Sequence, residues 1–191
     1  MPSVEFTPSM TTTTAPSAPS THFAGMGPVR FRQMAAREKV NDRYWSEEDP
    51  ISKLRCWWRA QTIRNIFHLL PGETILELGS GSGTLTRPLL RATRMQCPLT
   101  ATTFASSFAQ QHNDTAESGL QVEALSDFPG ELAGRTFDYV VGTNVLDAKN
   151  ASEVLKAVQL LLKPGGRLLL FESNPWNPVF RLRYILSRAL P

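Results

Sequence analysis

The sequence alternates short apolar runs with longer segments in which apolar residues recur every three or four positions. Runs with the length and composition of β-strands cover residues 74–76, 98–104, 120–124, 138–143 and 167–172. The segments between them carry the spacing of amphipathic helices. Strands that alternate with helices predict an α/β fold in which helices cover both faces of a parallel sheet. We therefore expect a three-layer domain with about five strands.

The N-terminal part of the chain predicts a different organisation from the rest. Residues 1–28 are rich in Thr, Ser and Pro and predict a disordered tail, because such residues bury too little apolar surface to offset the entropy of ordering. Residues 29–72 predict a helical cap, and residues 73–191 predict the sheet domain. One cap helix is expected to begin near Pro50, with Ser46 or Asp49 as its N-cap, and to end at the Pro and Gly of residues 71–72.

Large apolar residues of this cap helix recur at spacings that indicate one helical face. They are Ile51, Leu54, Trp58, Ile63, Ile66, Phe67 and Leu70. Four aromatic residues in and before the helix allow two interpretations, and these are Tyr44, Trp45, Trp57 and Trp58. Aromatic side chains at helical spacing usually pack in a core, which is the interpretation we favour. The alternative is that they cover a bound ligand.

Two further helices are predicted near the C-terminus. The first is capped by Asn150 and ends at the glycines of residues 165–166. Its predicted buried face consists of Val154, Leu155, Val158, Leu161 and Leu162. The second covers residues 179–190 and carries both apolar residues and arginines. Packing on the sheet is favoured for this last helix, and contact with a membrane surface is the alternative.

The composition narrows the functional classes. Of the 191 residues 41% are hydrophobic and the net charge is +3, as in an ordinary globular domain. Because the arginines do not form a basic stripe, we expect no nucleic-acid partner. Cys56 and Cys97 lack the spacing of metal ligands, so we expect free thiols and no metal site. The absence of a membrane-length apolar run and of a signal-peptide pattern predicts a cytoplasmic protein.

The segment from Glu77 to Gly83 carries the clearest chemical signal of the chain. Its glycines alternate with other residues after the first predicted strand, in the sequence Glu-Leu-Gly-Ser-Gly-Ser-Gly. Glycines at such positions let the backbone bend sharply and approach a ligand closely. The N–H groups at the start of the following helix would then face that ligand. The carboxylate of Glu77 disfavours a phosphate group and favours an ammonium group or sugar hydroxyls.

The Glu-x-Gly-x-Gly-x-Gly spacing resembles the first motif of the class I S-adenosylmethionine-dependent methyltransferases. Residues 137–141, Phe-Asp-Tyr-Val-Val, resemble the fourth strand of that family. Residues 163–171, which begin Lys-Pro-Gly-Gly, resemble the turn and fifth strand. The resemblance covers residues 60–175 and implies a Rossmann-like fold with S-adenosylmethionine as the cofactor.

The resemblance also implies the residues of a cofactor site. Glu77, Gly79, Ser80, Gly81 and Gly83 would line the methionyl and ribose parts, Thr103 would stand near the ribose, Leu125 and Asp127 would flank the adenine, and Asn144 would lie beside the methionyl group or the substrate. Two of these positions have an alternative interpretation. Asp127 would equally suit a polar surface loop with Phe128 in the core, and Asn144 would suit a turn or a helix cap.

Thr103 departs from the family pattern, which has an acidic residue at the end of the second strand. A hydroxyl supplies no charge, and hydrogen bonds to ionised acceptors are roughly twice as strong as neutral ones. Three explanations stay open: a shifted alignment, weaker cofactor binding, or another residue that takes over the role.

The resemblance names no catalytic residue. His22, His68 and His112 lie in the predicted tail, in a predicted helix and near a helix end, so none is placed as a base. Asn174 and Trp176 follow the fifth strand and would border an acceptor, or else form a rigid connector between prolines. The family's sheet has seven strands, so the final strand pair is expected to be missing. A missing segment or a partner would then cover the edge of the fifth strand.

The sequence thus predicts a methyltransferase that acts on a small-molecule or lipid-like acceptor. One alternative is a binding or interaction module of the same fold without catalysis, which Thr103 would favour. The other is an NAD-type oxidoreductase, whose Gly-x-Gly-x-x-Gly fingerprint requires glycine where this chain has Thr84.

Overall fold

The computed structural model describes residues 28–44, 49–113, 118–147 and 149–174. The helices are α1 (Pro28–Tyr44), α2 (Pro50–Phe67), α3 (Thr86–Ala92), α4 (Ser106–Asn113) and α5 (Ala151–Leu161). The strands are β1 (Ile75–Leu78), β2 (Leu99–Thr103), β3 (Leu120–Ala124), β4 (Phe137–Thr143) and β5 (Leu162–Phe171). A short 3₁₀ helix covers Gly130–Leu132.

The strands form one parallel sheet in the order β3-β2-β1-β4-β5. Ile75 of β1 pairs with Leu99 on one side and with Tyr139 on the other. The chain therefore runs outward from β1 to β3 and then returns to the opposite side of β1. This reversal is where open parallel sheets bind their ligands, beyond the carboxyl ends of the strands. The predicted α/β class and the strand set are confirmed.

Two apolar clusters lie on opposite faces of the sheet, because neighbouring residues of a strand point to opposite sides. Leu76 and Val140 pack in one cluster, together with the inner face of α5. Ile75 and Val141 pack in the other, beneath α2 and α3. The three-layer arrangement that the sequence predicts therefore follows from strands that are apolar on both faces.

Helix α2 begins as predicted, and Asp49 is its N-cap. The Asp49 carboxylate accepts hydrogen bonds from the N–H groups of Ile51 and Ser52, at 3.2 and 3.0 Å, and Pro50 occupies the first helical position. The helix ends at Phe67, because His68 adopts a left-handed conformation with φ of 53°. The prediction that it extends to residues 71–72 is therefore wrong.

The face of α2 that packs on the sheet agrees with the prediction only at Ile63 and Phe67. Its buried residues are Ser52, Cys56, Ala60, Ile63 and Phe67, whose spacings of three and four residues follow one side of the helix. Most of the larger residues that define the predicted face lie on the exposed side, namely Ile51, Leu54, Trp58, Ile66 and Leu70. The core assignment of Trp57 and Trp58 is also wrong, since they are 53% and 59% exposed. The buried face carries small side chains at Ser52, Cys56 and Ala60 and larger ones at Ile63 and Phe67.

The junction between α5 and β5 differs from the prediction. Asn150 stands at the N-cap, but its side chain accepts a hydrogen bond from Asp147 N–H at 2.7 Å and caps no N–H of α5. The buried face consists of Val154, Ala157, Val158 and Leu161, whereas Leu155 is exposed. The helix ends at Leu161, before the glycines, and β5 begins at Leu162. Leu162 pairs with Phe137 and Arg167 pairs with Tyr139, so residues 163–166 form an irregularity within the strand.

Several expectations concern parts of the chain outside the described residues. These are the tail over residues 1–27, the side chains of Tyr44 and Trp45, the connector with Trp176, and the C-terminal helix over residues 179–190. Among the helices of the described ranges, none is both long enough and apolar enough to cross a bilayer.

Candidate cofactor site

The glycine loop leaves β1 at the carboxyl edge of the sheet. Gly79, Gly81 and Gly83 have φ angles of 68°, 54° and 90°, which side chains with a Cβ atom rarely adopt. A Cβ on Gly79 would lie 3.3 Å from the Phe104 ring. The loop therefore requires glycine both for its conformation and for its approach to the end of β2.

Hydrogen bonds fix this loop against β2. Ser80 N–H donates to Thr102 O at 2.9 Å, and the Thr102 hydroxyl donates to Glu77 O at 2.9 Å. Gly83 N–H donates back to Ser80 O at 2.9 Å and closes the turn. The loop is thus held in one shape by the sheet before any ligand is considered.

Glu77 is a buried carboxyl group beside the loop. It is 2% exposed, and within the described part of the chain its Oε2 atom has no hydrogen-bond partner. Burial raises the pKa of Glu77 to about 7; the Thr86 hydroxyl opposes this shift, and the negative charge of Glu38 adds to it. A buried acceptor that lacks a hydrogen-bond partner is costly to the fold, so a ligand that donates a hydrogen bond to Oε2 would be stabilised there.

Helix α1 lies across the same edge and places Glu38 there. Glu38 Oε2 accepts hydrogen bonds from the Thr103 hydroxyl at 2.9 Å and from the N–H groups of Phe104 and Ala105 at 2.9 and 2.8 Å. Its Oε1 accepts from Gly81 N–H at 3.0 Å. Burial raises the pKa of Glu38, and these four hydrogen bonds oppose the shift. The side chain is 5% exposed, so this carboxyl group is part of the interior.

Asp42 lies one helical turn after Glu38 and contacts the same loop. Its Oδ1 accepts a hydrogen bond from Ser82 N–H at 2.8 Å. A Cβ on Gly81 would come within 2.9 Å of this oxygen, so the space left by the glycine is filled by Asp42. The two acids of α1 therefore cover the loop from above.

Helix α1 also contacts residues beyond the end of β4. Asn41 Nδ2 donates to Asn144 O at 3.4 Å, and an Arg37 guanidinium nitrogen lies 3.5 Å from an Asp147 carboxylate oxygen. On the apolar side, the Phe31 ring meets Phe104 edge-on, with centroids 5.8 Å apart. The helix thus spans the whole region where a ligand of this fold would lie.

Most of the predicted site residues meet at this edge. Thr103 ends β2 and donates its hydroxyl to Glu38, and Leu125 N–H donates to Thr103 O at 2.8 Å. Leu125 is buried in the core cluster that also contains Phe104 and Phe128. Asp127 contacts Gly130 within its own loop, and Phe128 is fully buried. This arrangement matches the alternative interpretation of Asp127 as a loop residue next to a core Phe.

Asn144 has the structural role that its alternative interpretation describes. It adopts a left-handed conformation with φ of 52°, and its Oδ1 accepts hydrogen bonds from Ser173 N–H and the Ser173 hydroxyl at 2.9 and 2.7 Å. Nearby, Glu172 Oε1 accepts from the N–H groups of Val145 and Leu146. The Asn144 side chain therefore joins the ends of β4 and β5.

Sequence reasoning missed Glu38 and Asp42. They lie four residues apart on the helical face that also carries Phe31 and Met34, both of which pack on the core. The signal that could have identified them is their position, because these two acids continue a helical face that otherwise carries apolar residues. The prediction lacked any indication that this face would meet the glycine loop.

The residues of the loop fit S-adenosylmethionine. The loop forms a cradle that side chains would fill, and the unpaired oxygen of Glu77 can accept a hydrogen bond from an ammonium group. The carboxylates of α1, however, occupy N–H groups that face the same cradle. No cluster of His, Cys, Asp and Glu in the described ranges has the arrangement of a metal site.

Comparisons with known proteins agree with this geometry. Residues 76–168 match the family described as "Methyltransferase domain". The chain is 31% identical over 156 residues to the demethylmenaquinone methyltransferase of Bacillus cereus, which covers 78% of this chain and 65% of that protein. It is also 29% identical over 171 residues to a hybrid PKS-NRPS synthetase of Thermothelomyces thermophilus. The aligned region is 84% of this chain and 4% of the synthetase. The chain thus spans less than two thirds of either relative.

Solved structures share the fold at low identity. A putative sarcosine dimethylglycine methyltransferase from Galdieria sulphuraria has a TM-score of 0.55 and 17% identity, over 71% of this chain and 54% of that one. A coclaurine N-methyltransferase bound to N-methylheliamine and S-adenosylhomocysteine (SAH) has a TM-score of 0.52 and 16% identity, over 65% and 37%. These structures show the shared fold, and the sequence match, together with the strand order and the glycine loop, shows that residues 76–168 belong to the family described as "Methyltransferase domain".

Proposed function

We propose that this chain binds S-adenosylmethionine at the carboxyl ends of β1 and β2 and transfers its methyl group to a small-molecule or lipid-like acceptor. The observation that carries the proposal is Glu77, a buried acid with an unpaired oxygen beside a glycine cradle. A ligand with an ammonium group would supply the missing donor. The amino-acid end of S-adenosylmethionine has such a group.

When bound, the cofactor supplies a methyl group already activated on a sulfonium. The protein then has to hold donor and acceptor in line and exclude water. Glu77 would orient the ammonium group, the loop backbone would fit the amino-acid tail, and Phe104 and Leu125 would exclude water beside it. Positioning of this kind needs no dedicated base unless the acceptor begins as a weak acid.

The names of the relatives support the acceptor class. Demethylmenaquinone methyltransferase and fumosorinone synthetase, which is 30% identical to this chain over 148 residues, are both named for small or lipid-like molecules. The chain spans 65% of the first protein and 4% of the second, so the acceptor remains a proposal for this chain.

A binding module without catalysis is a second candidate, because acids of α1 occupy the loop and Thr103 supplies no charge. An NAD-type oxidoreductase is less well supported. The buried Glu77 would repel a pyrophosphate, and Thr84 breaks the dinucleotide fingerprint.

Titration calorimetry with S-adenosylmethionine, SAH and NAD tests the proposal. We expect both sulfur ligands to bind and NAD not to bind. Glu77→Gln should weaken SAH binding at least about tenfold, a loss of about 1.4 kcal/mol. Glu73→Gln is the matched control, since Glu73 accepts hydrogen bonds from Leu70 N–H and the Tyr139 hydroxyl, residues that lie apart from the loop. A folded protein that binds neither sulfur ligand would refute the proposal.

Methyl transfer then separates an enzyme from a binder. A labelled methyl group should pass from S-adenosylmethionine to quinone-like or polyketide-like acceptors. Tight SAH binding without transfer to any acceptor of these classes would favour the binding module.

A further inference from the structure

Helix α1 occupies the hydrogen-bond donors that a ligand of the glycine loop would meet. We infer that docking of α1 and binding of the cofactor exclude each other, so that Glu38 and Asp42 act as a built-in competitor of S-adenosylmethionine. The inference rests on the proposed function and adds a means of regulating the same site.

Hydrogen-bond donors at the edge of the sheet are already bound by α1. The carboxylates of α1 accept hydrogen bonds from five groups: the N–H groups of Gly81, Ser82, Phe104 and Ala105 and the hydroxyl of Thr103. These groups follow β1 and β2, where the ligand of an open parallel sheet lies. A backbone N–H donates one hydrogen bond, so it cannot serve a carboxylate of α1 and a ligand with full strength at once.

Side chains of α1 also occupy the space beside the glycine loop. Asp42 Oδ1 lies 2.9 Å from the position that a Cβ of Gly81 would take, which is closer than side chains normally approach. Glu38 is 5% exposed and lies between the loop and the end of β2. A ligand that uses the cradle must therefore displace these two side chains, and the helix moves with them.

Charge repulsion weakens the attachment of α1 to the sheet. Two buried carboxyl groups, Glu38 and Glu77, lie near the glycine loop and repel each other when both are ionised. Arg37, one of the cations of α1, pairs with Asp147 at the β4 end, at 3.5 Å. The apolar contribution of α1 comes chiefly from Met34, with partial burial of Phe31 and Ala35. Repulsion between the two carboxyl groups lowers the cost of displacing this helix.

The consequence for affinity follows from a competing equilibrium. If α1 is docked in most molecules, the apparent dissociation constant exceeds the intrinsic one by the inverse of the open fraction. Removing both carboxylates should therefore tighten SAH binding. A docked population of about nine in ten predicts a gain of about tenfold.

Calorimetry with the Glu38→Ala/Asp42→Ala double variant and SAH tests this expectation. Lys39→Ala is the matched control, because Lys39 is an exposed residue of the same helix. Circular dichroism and thermal melting establish that each variant is folded. We expect the double variant to bind SAH about tenfold more tightly than the wild type and the control to be unchanged.

Hydrogen exchange of the amides of residues 31–42 gives a readout that does not depend on the variants. SAH should accelerate exchange in α1 of the wild type, because the helix leaves the glycine loop and the end of β2. Unchanged or slower exchange on SAH binding would overturn the inference, and so would equal or weaker binding by a folded double variant. Both of those results leave the proposed function intact, whereas failure of every folded form to bind SAH would overturn that function as well.

Discussion

The two ends of the sheet treat acidic side chains in opposite ways. At the amino end, the Asp138 carboxylate accepts hydrogen bonds from Thr74 N–H and the Thr74 hydroxyl, both at 2.8 Å, and from Lys163 Nζ at 2.7 Å. At the carboxyl end, Glu77 has an unpaired oxygen, and Glu38 is bound by four groups that carry no formal charge.

Their pKa values differ accordingly. Partial burial alone would raise the pKa of Asp138, but its bonds to Lys163 and Thr74 outweigh burial and lower it. Burial raises the pKa values of Glu38 and Glu77, and no bond made there reverses the shift. One end therefore uses its acid to hold β1, β4 and β5 together. The other end keeps its acids at a cost in stability, which is typical of a binding site.

The pH dependence of stability should show the largest effect of this difference. An unfolded glutamate titrates near 4.5, whereas Glu77 titrates at about 7, so the folded state holds the proton more tightly. The resulting stabilisation is fully present below pH 4.5 and is lost as the pH rises to about 7. It amounts to about 3 kcal/mol. Glu38 shifts in the same direction and steepens the loss.

Urea unfolding at several pH values measures this dependence. Glu77→Gln removes the largest contribution, so the variant should lose much less stability than the wild type between pH 4.5 and pH 7. Equal losses in both proteins would mean that the two ends of the sheet do not differ as described.

Removal of the acid at the amino end should have a smaller effect with the opposite pH dependence. Asp138→Ala leaves Thr74 N–H and Lys163 without their acceptor and should cost about 2 kcal/mol at neutral pH. Because the pKa of Asp138 is lowered, its stabilisation is lost as the pH falls below the ordinary value of 3.8. Denaturant unfolding gives the cost, and SAH affinity should stay within about twofold of the wild type. A larger change in affinity would show that this end also serves the ligand.

A pair of glycine substitutions separates conformation from ligand contact. Gly79 and Gly72 have φ angles of 68° and 87°, so a valine strains the backbone at both positions. Only Gly79 has a close neighbour, the Phe104 ring, while a Cβ on Gly72 would have nothing within 4 Å. Gly79→Val should weaken SAH binding at least about tenfold, whereas Gly72→Val should affect stability alone. Similar affinities for SAH in both variants, measured by calorimetry, would show that the loop does not contact the ligand.

The smallest expected effect belongs to the exposed partner of Asp138. The Lys163 side chain is 40% exposed, so its ion pair is screened by water. Lys163→Met should cost about 0.5 kcal/mol, and this cost should decrease in high salt. Thermal melting in low and high salt measures it, and a salt-independent cost above about 1 kcal/mol would contradict the assignment.

The parts of the fold that local pattern determines could be predicted from the sequence. β3 covers Leu120–Ala124, the bounds that the sequence predicts, and Asp49 caps α2 because a cap depends only on residues within one turn. The glycine loop follows from its spacing in the same way. The buried face of α2 was predicted correctly only at Ile63 and Phe67, since the choice of face depends on what the sheet can accept. Ser52, Cys56 and Ala60 are also buried, whereas Trp58 is exposed.

The candidate site was predicted only where its residues end a strand or directly follow one. Glu77, Gly79 and Thr103 stand where strand ends place them, at one edge. Glu38 could not be found in this way, because it meets Thr103 across 65 residues of sequence. One of the three explanations for the missing acid at the end of β2 was that another residue takes over its role. The structure places a carboxylate beside Thr103, but it belongs to a helix that covers the site.

A structure of the chain with SAH would show at once where the ligand and α1 lie. The account predicts the amino-acid tail of SAH in the bend over residues 79–83, with its ammonium group on Glu77 and with Glu38 withdrawn from Gly81 and Ala105. SAH bound elsewhere on the protein, with Glu38 and Asp42 still on the loop, would contradict it.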